Sequence, residues 1–209
     1  MLDTELIRAE QETEPRVMIV LHGLGDSMEG YRWLPQAMQF PWLSYLLVNA
    51  PDRYYTGFSW YPLDDEPGPA IERSRELLFD LLDKTRGEGF AAEKIIVFGF
   101  SQGCLMGIEV GARYPHRLAG IVGVSGYVHE PHRLLRVLSP VARQQRFLIT
   151  HGTHDPLIPI DIARPQMEFL RKAGLSIDWR EFAKAHTIDE RLELPALRGF
   201  VSDCYVQPV

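Results

Sequence analysis

The residues best suited to chemistry in this chain stand in Gly99-Phe100-Ser101-Gln102-Gly103, directly after the strand-like run Ile95-Ile96-Val97-Phe98 and directly before a helix-forming stretch. In a G-x-S-x-G turn the two glycines leave room for a tight reversal from strand to helix. The serine hydroxyl is then pushed out at the helix N-terminus, where the peptide dipoles favour developing negative charge. Ser101 is therefore the candidate nucleophile. What gives the pentapeptide weight is the strand before it and the helix after it.

A serine hydroxyl is too weakly acidic to attack a carbonyl unaided. An imidazole must take its proton, and a carboxylate must hold that imidazole in the right tautomer. In hydrolases built on this kind of turn the chain order is serine, then acid, then histidine. Of the seven histidines, His116, His129, His132, His151, His154 and His186 follow Ser101. Phe147-Leu148-Ile149-Thr150 reads as a later strand, and His151-Gly152-Thr153-His154-Asp155 carries the chain from it through a glycine turn to an acid, Asp155. The one histidine beyond it is His186, in a loop after the last expected strand. Asp161 is the reserve acid, although its place before a helix suits capping better. Thr187 and Glu190 have the spacing of a capping box just after the base.

Loss of one donor to a tetrahedral oxyanion slows acyl transfer by about 10² to 10³, roughly 3 to 4 kcal/mol, so two backbone donors are expected. The N–H of Gln102 is one. The other is the N–H of Leu24, in the glycine-containing loop Leu21-His22-Gly23-Leu24-Gly25-Asp26-Ser27 after the first apolar strand. Tyr54, Tyr55, Phe58, Trp60 and Tyr61 cluster in sequence, and Phe58 and Trp60, with Leu157, are the candidate pocket residues.

With these residues in view the chain resembles the carboxylesterase and acyl-protein thioesterase (phospholipase/carboxylesterase) branch of the α/β hydrolases. The resemblance is carried by LHGLGDS at 21–27, FSWYPL at 58–63, GFSQG at 99–103, HGTHDPLIP at 151–159 and AHT at 185–187, and it runs over nearly the whole chain. It implies a hydrolase without a large lid domain, acting on carboxylic esters or thioesters of small molecules, lipids or acylated proteins and needing no metal or organic cofactor. Position by position, Ser101, Asp155 and His186 match that family's triad, and Leu24 and Gln102 its oxyanion donors. The chain departs from the family around the base, where glycine before and glutamate after the histidine are usual. Here Lys184-Ala185 precede His186 and Thr187 follows, so a stiffer or differently placed loop is expected.

The elements that must position these groups follow from periodicity. Val17–Leu21, Tyr45–Val48, Ile95–Phe98, Ile121–Val124, Phe147–Thr150 and Ile177–Phe182 are short and mostly apolar, as strands covered on both faces are, and Thr4–Ala9 is a candidate edge strand. Between them, residues 70–85, 102–113 and 161–174 read as helices, the last opened by Asp161 and closed by Gly174. Gly107 and Gly111 let the second helix sit close to the sheet. The class is α/β, a mostly parallel central sheet with helices on both faces. Two proline-bearing excursions, 61–69 and 129–140, are expected to shape a substrate entrance.

Composition bounds the alternatives. At 209 residues, with 45% hydrophobic and 24% charged residues, a single domain is expected, burying roughly 70% of its unfolded surface. The formal net charge of −6 and the lack of a basic run argue against nucleic-acid binding. The apolar runs are too short to span a bilayer and the N-terminus is acidic, so cytoplasmic residence is expected. Cys104 and Cys204 read as free thiols, and a homodimer is compatible with the sequence. A metal reading would use His151, His154, Asp155 and His186 but leaves the strand-to-helix turn unexplained. A non-catalytic binding module of the same fold is the other alternative.

Overall fold

Val17–Leu21 buries every one of its residues, and so do Ser44–Val48 and Gly120–Val124, which is why these runs can only be interior strands. The computed structural model describes residues 1–11, 14–63 and 66–205. The strands are β1 (Thr4–Ile7), β2 (Val17–Leu21), β3 (Ser44–Val48), β4 (Asp52–Tyr54), β5 (Gly57–Ser59), β6 (Ile95–Phe100), β7 (Gly120–Val124), β8 (Arg146–Gly152) and β9 (Ser176–Phe182). The α-helices are α1 (Leu34–Met38), α2 (Gly68–Gly87), α3 (Gln102–Arg113), α4 (Pro131–Arg136), α5 (Ile160–Lys172) and α6 (Leu194–Tyr205).

Seven strands form one sheet in the order β1-β3-β2-β6-β7-β8-β9. Every neighbouring pair is parallel except β1 with β3, where Thr4 faces Val48 and Ile7 faces Tyr45. The edge strand ends at Ile7, short of the expected Ala9. β4 and β5, not anticipated from the sequence, make a separate hairpin.

Period-two alternation splits each central strand between two cores. Val17, Ile19 and Leu21 of β2, with Ile95 and Val97 of β6, pack toward α2, α3 and α5. Met18, Val20, Ile96 and Phe98 face the other way, toward Leu34 and Met38 of α1 and Leu197 and Val201 of α6. Helices therefore cover both faces, and no large lid domain is present among the described residues. The glycines of α3 divide in role. A Cβ on Gly111 would lie 2.5 Å from the Phe147 ring, whereas one on Gly107 would meet Ile121 at 3.5 Å, an ordinary contact.

α5 begins one residue before the expected site, and Pro159, not Asp161, precedes it; Asp161 sits exposed in its first turn beside Arg164. Gly174, at φ +94°, follows the helix end as expected. Among the described residues no helix is long and apolar enough to cross a membrane.

Candidate active site

The turn at Ser101 is possible only with glycine on either side. A Cβ on Gly99 would lie 2.0 Å from the Gly103 carbonyl oxygen, and one on Gly103 would lie 2.2 Å from that of Leu21. Between them Ser101 adopts φ 54° and ψ −114°, a conformation costing about 1–3 kcal/mol that persists because the surroundings hold it. Its N–H donates to the Val124 carbonyl at 2.9 Å, and its own carbonyl accepts from the Cys104 and Leu105 N–H groups at 3.0 and 3.2 Å. The hydroxyl is left at the C-terminal edge of the sheet, facing the loops after β8 and β9.

Those two strands pair in register to their ends, with Gly152 opposite Phe182, so the loops that follow emerge side by side. The first carries Asp155 and the second His186. The Ser101 hydroxyl lies 2.9 Å from His186 Nε2, and His186 Nδ1 lies 2.7 Å from Asp155 Oδ2. With Nδ1 facing a carboxylate, its proton sits there, and Nε2 is left to accept from the serine. The other carboxylate oxygen accepts the N–H groups of Leu157 and Ile158, both at 2.9 Å. Burial pushes the Asp155 carboxyl up, but the hydrogen bonds from Ile158 and His186 outweigh it and hold the group below the usual carboxylate range. Such an arrangement can pass a proton from hydroxyl to imidazole while the carboxylate stays ionised.

The loop 22–26 comes close enough to touch the turn. A Cβ on Gly23 would sit 3.3 Å from Ser101 Cβ. Gly25 donates to the Phe58 carbonyl at 2.8 Å and the Phe58 N–H to Asp26 at 2.9 Å, which pins the main chain just after Leu24. Gln102 is the first residue of α3, so its N–H has no acceptor within the helix. Leu24 and Gln102 both line a cavity of about 610 Å³ that opens over Ser101 and His186. His22 orders this loop from within. The Ala50 N–H donates to its Nε2 at 3.0 Å, so the ring proton sits on Nδ1, 2.6 Å from the Gly23 carbonyl. Burial pushes this imidazole below its ordinary value, against the pull of the Gly23 carbonyl.

The cavity walls are mostly apolar: Leu63, Phe100, Leu157, Ile158 and Ile162, with Tyr61 and Tyr127 contributing hydroxyls 3.3 Å apart. Leu157 is thus among the lining residues. Phe58 and Trp60 are not among the lining residues. Trp60 is fully buried, its indole N–H donating to the His22 carbonyl at 2.9 Å, and Phe58 lies beneath the Arg53 guanidinium. Aromatic clustering in sequence did not reveal which side of the main chain each ring takes. The Gln102 amide holds this wall to the turn, accepting the Trp60 N–H at 3.0 Å and donating to the Tyr61 carbonyl at 2.8 Å.

The first proline-bearing excursion supplies Tyr61 and Leu63 to the cavity, and its residues 64–65 lie outside those described. The second packs away from it: Arg133 of α4 bridges to Glu72 of α2, and only Tyr127, just before the segment, reaches the cavity.

Three features escaped sequence reasoning or were misread by it. His151, an element of the metal reading, is fully buried, stacks on Trp179 and donates from Nε2 to the Ile158 carbonyl at 2.9 Å, which steadies the Asp155 loop. Among the described residues no three His, Cys, Asp or Glu side chains are grouped to hold a metal ion. Thr187 and Glu190 form no capping box. Asp189 accepts the N–H groups of Arg191 and Leu192, and Glu193 accepts that of Asp189, before α6 starts at Leu194. Lys184, read only as a departure from a family pattern, is buried. Cys104 and Cys204 are unpaired with each other, and burial pushes the Cys104 thiol up to about 12.

A solved structure described as esterase PE8 superposes with a TM-score of 0.87 at 24% identity, covering 97% of this chain and 99% of that one. The Bacillus cereus carboxylesterase gives a TM-score of 0.83 at 16% identity over 98% and 95%. Both establish the α/β-hydrolase fold. The acyl-protein thioesterase 1 of Schizosaccharomyces pombe is 31% identical over 166 residues, 73% of this chain and 74% of that protein. The sequence model of the phospholipase/carboxylesterase family matches residues 2–205, and the chain belongs to that family.

Proposed function

We propose that this protein hydrolyses carboxylic esters and thioesters through an acyl-enzyme on Ser101. The observation that carries the reading is the single imidazole of His186, within hydrogen-bond reach of the Ser101 hydroxyl on one side and of Asp155 on the other. As Ser101 Oγ attacks the acyl carbonyl, its proton moves to His186 Nε2, and the imidazolium is stabilised by Asp155, which stays ionised. The carbonyl oxygen takes up the negative charge against the N–H groups of Leu24 and Gln102. Collapse breaks the bond to the alcohol or thiol, which leaves with the proton from His186. Water then gives a proton to the same nitrogen as it attacks the acyl group, and the carboxylic acid departs as Ser101 recovers its hydrogen.

The apolar lining of the cavity suits a hydrocarbon acyl chain, and acylated proteins are the substrates we favour, in line with the fungal relatives known as acyl-protein thioesterase 1. A non-catalytic module of this fold would give no reason for a buried acid, an ordered base and a strained serine to meet at one cavity. Turnover of p-nitrophenyl esters of increasing chain length, set against matched acyl thioesters and an S-acylated peptide, tests the reading. Hydrolysis of both bond types is expected, and no turnover of any of them would reject it.

A further inference from the structure

The base is held by a lysine. Lys184 stands two residues before His186, and its buried ammonium donates two hydrogen bonds and forms one ion pair. Nζ lies 2.8 Å from Glu193 Oε1, 3.0 Å from Ser125 Oγ and 2.6 Å from the carbonyl oxygen of Thr187. The last contact closes a ring around the base: the side chain of residue 184 and the carbonyl of residue 187 clasp each other across His186. The first ties the loop to Glu193, whose other oxygen accepts the Asp189 N–H and so fixes the turn leading into α6. The second ties it to Ser125, the residue after Val124, whose carbonyl accepts the Ser101 N–H. The main chain of Lys184 completes the set, its carbonyl accepting the His154 N–H at 3.1 Å, one residue before Asp155. One residue thus joins the segments bearing nucleophile, acid and base.

Resting on the reading of Ser101, Asp155 and His186 as an acyl-transfer site, we propose that Lys184, through its buried pairing with Glu193 and its bond to Ser125, is a positioning residue for His186. A loop with glycine before its histidine can bend freely, and this one cannot. The lysine substitutes a directed, charge-assisted clasp for that freedom, and a shift of about 1 Å in such a geometry is worth about 10²-fold in rate.

Removing the lysine alone strands the Glu193 carboxylate in the interior, which threatens folding by itself. The informative variant is therefore Lys184→Met with Glu193→Gln, which removes both charges together and keeps an acceptor for Asp189. Ser125→Ala, which cuts the tether to the nucleophile turn and disturbs no charge, is measured beside it. Each is followed by thermal melting and by kcat and KM on a p-nitrophenyl ester, with the unaltered protein alongside. The expected result is a cooperative melt for both variants, KM within about threefold of the unaltered protein, and kcat lower by about 10- to 100-fold in the double variant and about 3- to 10-fold in Ser125→Ala. A folded double variant with kcat within about threefold would overturn the proposal, as would losses of activity that track loss of the cooperative melt in both variants. An unaltered protein that hydrolyses no ester or thioester would instead strike the proposed function on which it rests.

Discussion

His186 Nε2 lies 2.9 Å from the Ser101 hydroxyl although 85 positions separate the two residues. The approach depends on β8 and β9 pairing in register to their last residues, because a slip of one residue would turn every side chain of β9 to the other face and redirect the loop beyond it. The proximity is thus a consequence of the sheet, and what happens to it can be read through substitutions in the sheet and its loops.

Asp155 is predicted to be needed for turnover and dispensable for the fold. Asp155→Asn keeps an acceptor for the Leu157 and Ile158 N–H groups but no longer selects the His186 tautomer whose Nε2 is free. A fall of about 10⁴-fold in kcat is expected, with the circular dichroism spectrum unchanged. Retention of full activity would mean that the acid lies elsewhere.

Stability is predicted to fall in mild acid because of two buried histidines. Burial depresses both His22 and His151, so below the unfolded value of about 6.5 the unfolded chain binds protons that the folded one does not. Their stabilising contribution is complete above that pH and is lost as pH drops toward the folded values. Asp155 acts in the same direction but only in stronger acid, below about 3.9, because it too is depressed. Melting temperatures between about pH 7.5 and pH 5 should therefore decline, and decline less in His151→Gln. Equal slopes for the two proteins would remove His151 from the explanation.

Chain-length preference is predicted to reside in the cavity mouth. Leu157 and Ile162 are 71% and 53% exposed, so changing them should leave the fold intact. Each methylene withdrawn from water is worth about 0.8 kcal/mol. Leu157→Asp should lower kcat/KM for p-nitrophenyl octanoate about tenfold and leave the acetate ester nearly unaffected. Equal effects on both esters would place the acyl chain elsewhere.

Two glycine substitutions separate close approach from mere helix composition. Gly103→Ala drives a methyl group to 2.2 Å from the Leu21 carbonyl oxygen and should destabilise by about 3 kcal/mol or more in denaturant titration. Gly107→Ala meets Ile121 at 3.5 Å and Val97 at 3.7 Å, both ordinary contacts, and is expected to be neutral or to stabilise by up to about 1 kcal/mol. Similar behaviour of the two variants would contradict the turn geometry.

The strands were legible because burial on both faces leaves unbroken apolar runs, as in Val17–Leu21 and Ile121–Val124. Ser101, Asp155 and His186 were legible through chain order, which carries spatial information in this topology. What one dimension could not convey was the direction of side chains in short irregular segments. Trp60 turns inward to reach the His22 carbonyl, while its neighbour Tyr61 lines the cavity. Lys184 and Glu193 look like surface charges because their pairing exists only once the loop has folded against the turn before α6. Pro195 leaves the start of the last helix uncertain in the sequence, and as the second residue of α6 it stands where a missing N–H is harmless. Asp161 suits a cap equally well, but Pro159 precedes the helix.

The central claim is covalent, and mass spectrometry of the protein quenched during steady-state turnover of a slow p-nitrophenyl ester tests it directly. The account predicts an added acyl group on the peptide containing Ser101, accompanied by a burst of p-nitrophenol, both absent in Ser101→Ala. An acyl adduct on a different residue, or undiminished turnover by Ser101→Ala, would contradict it.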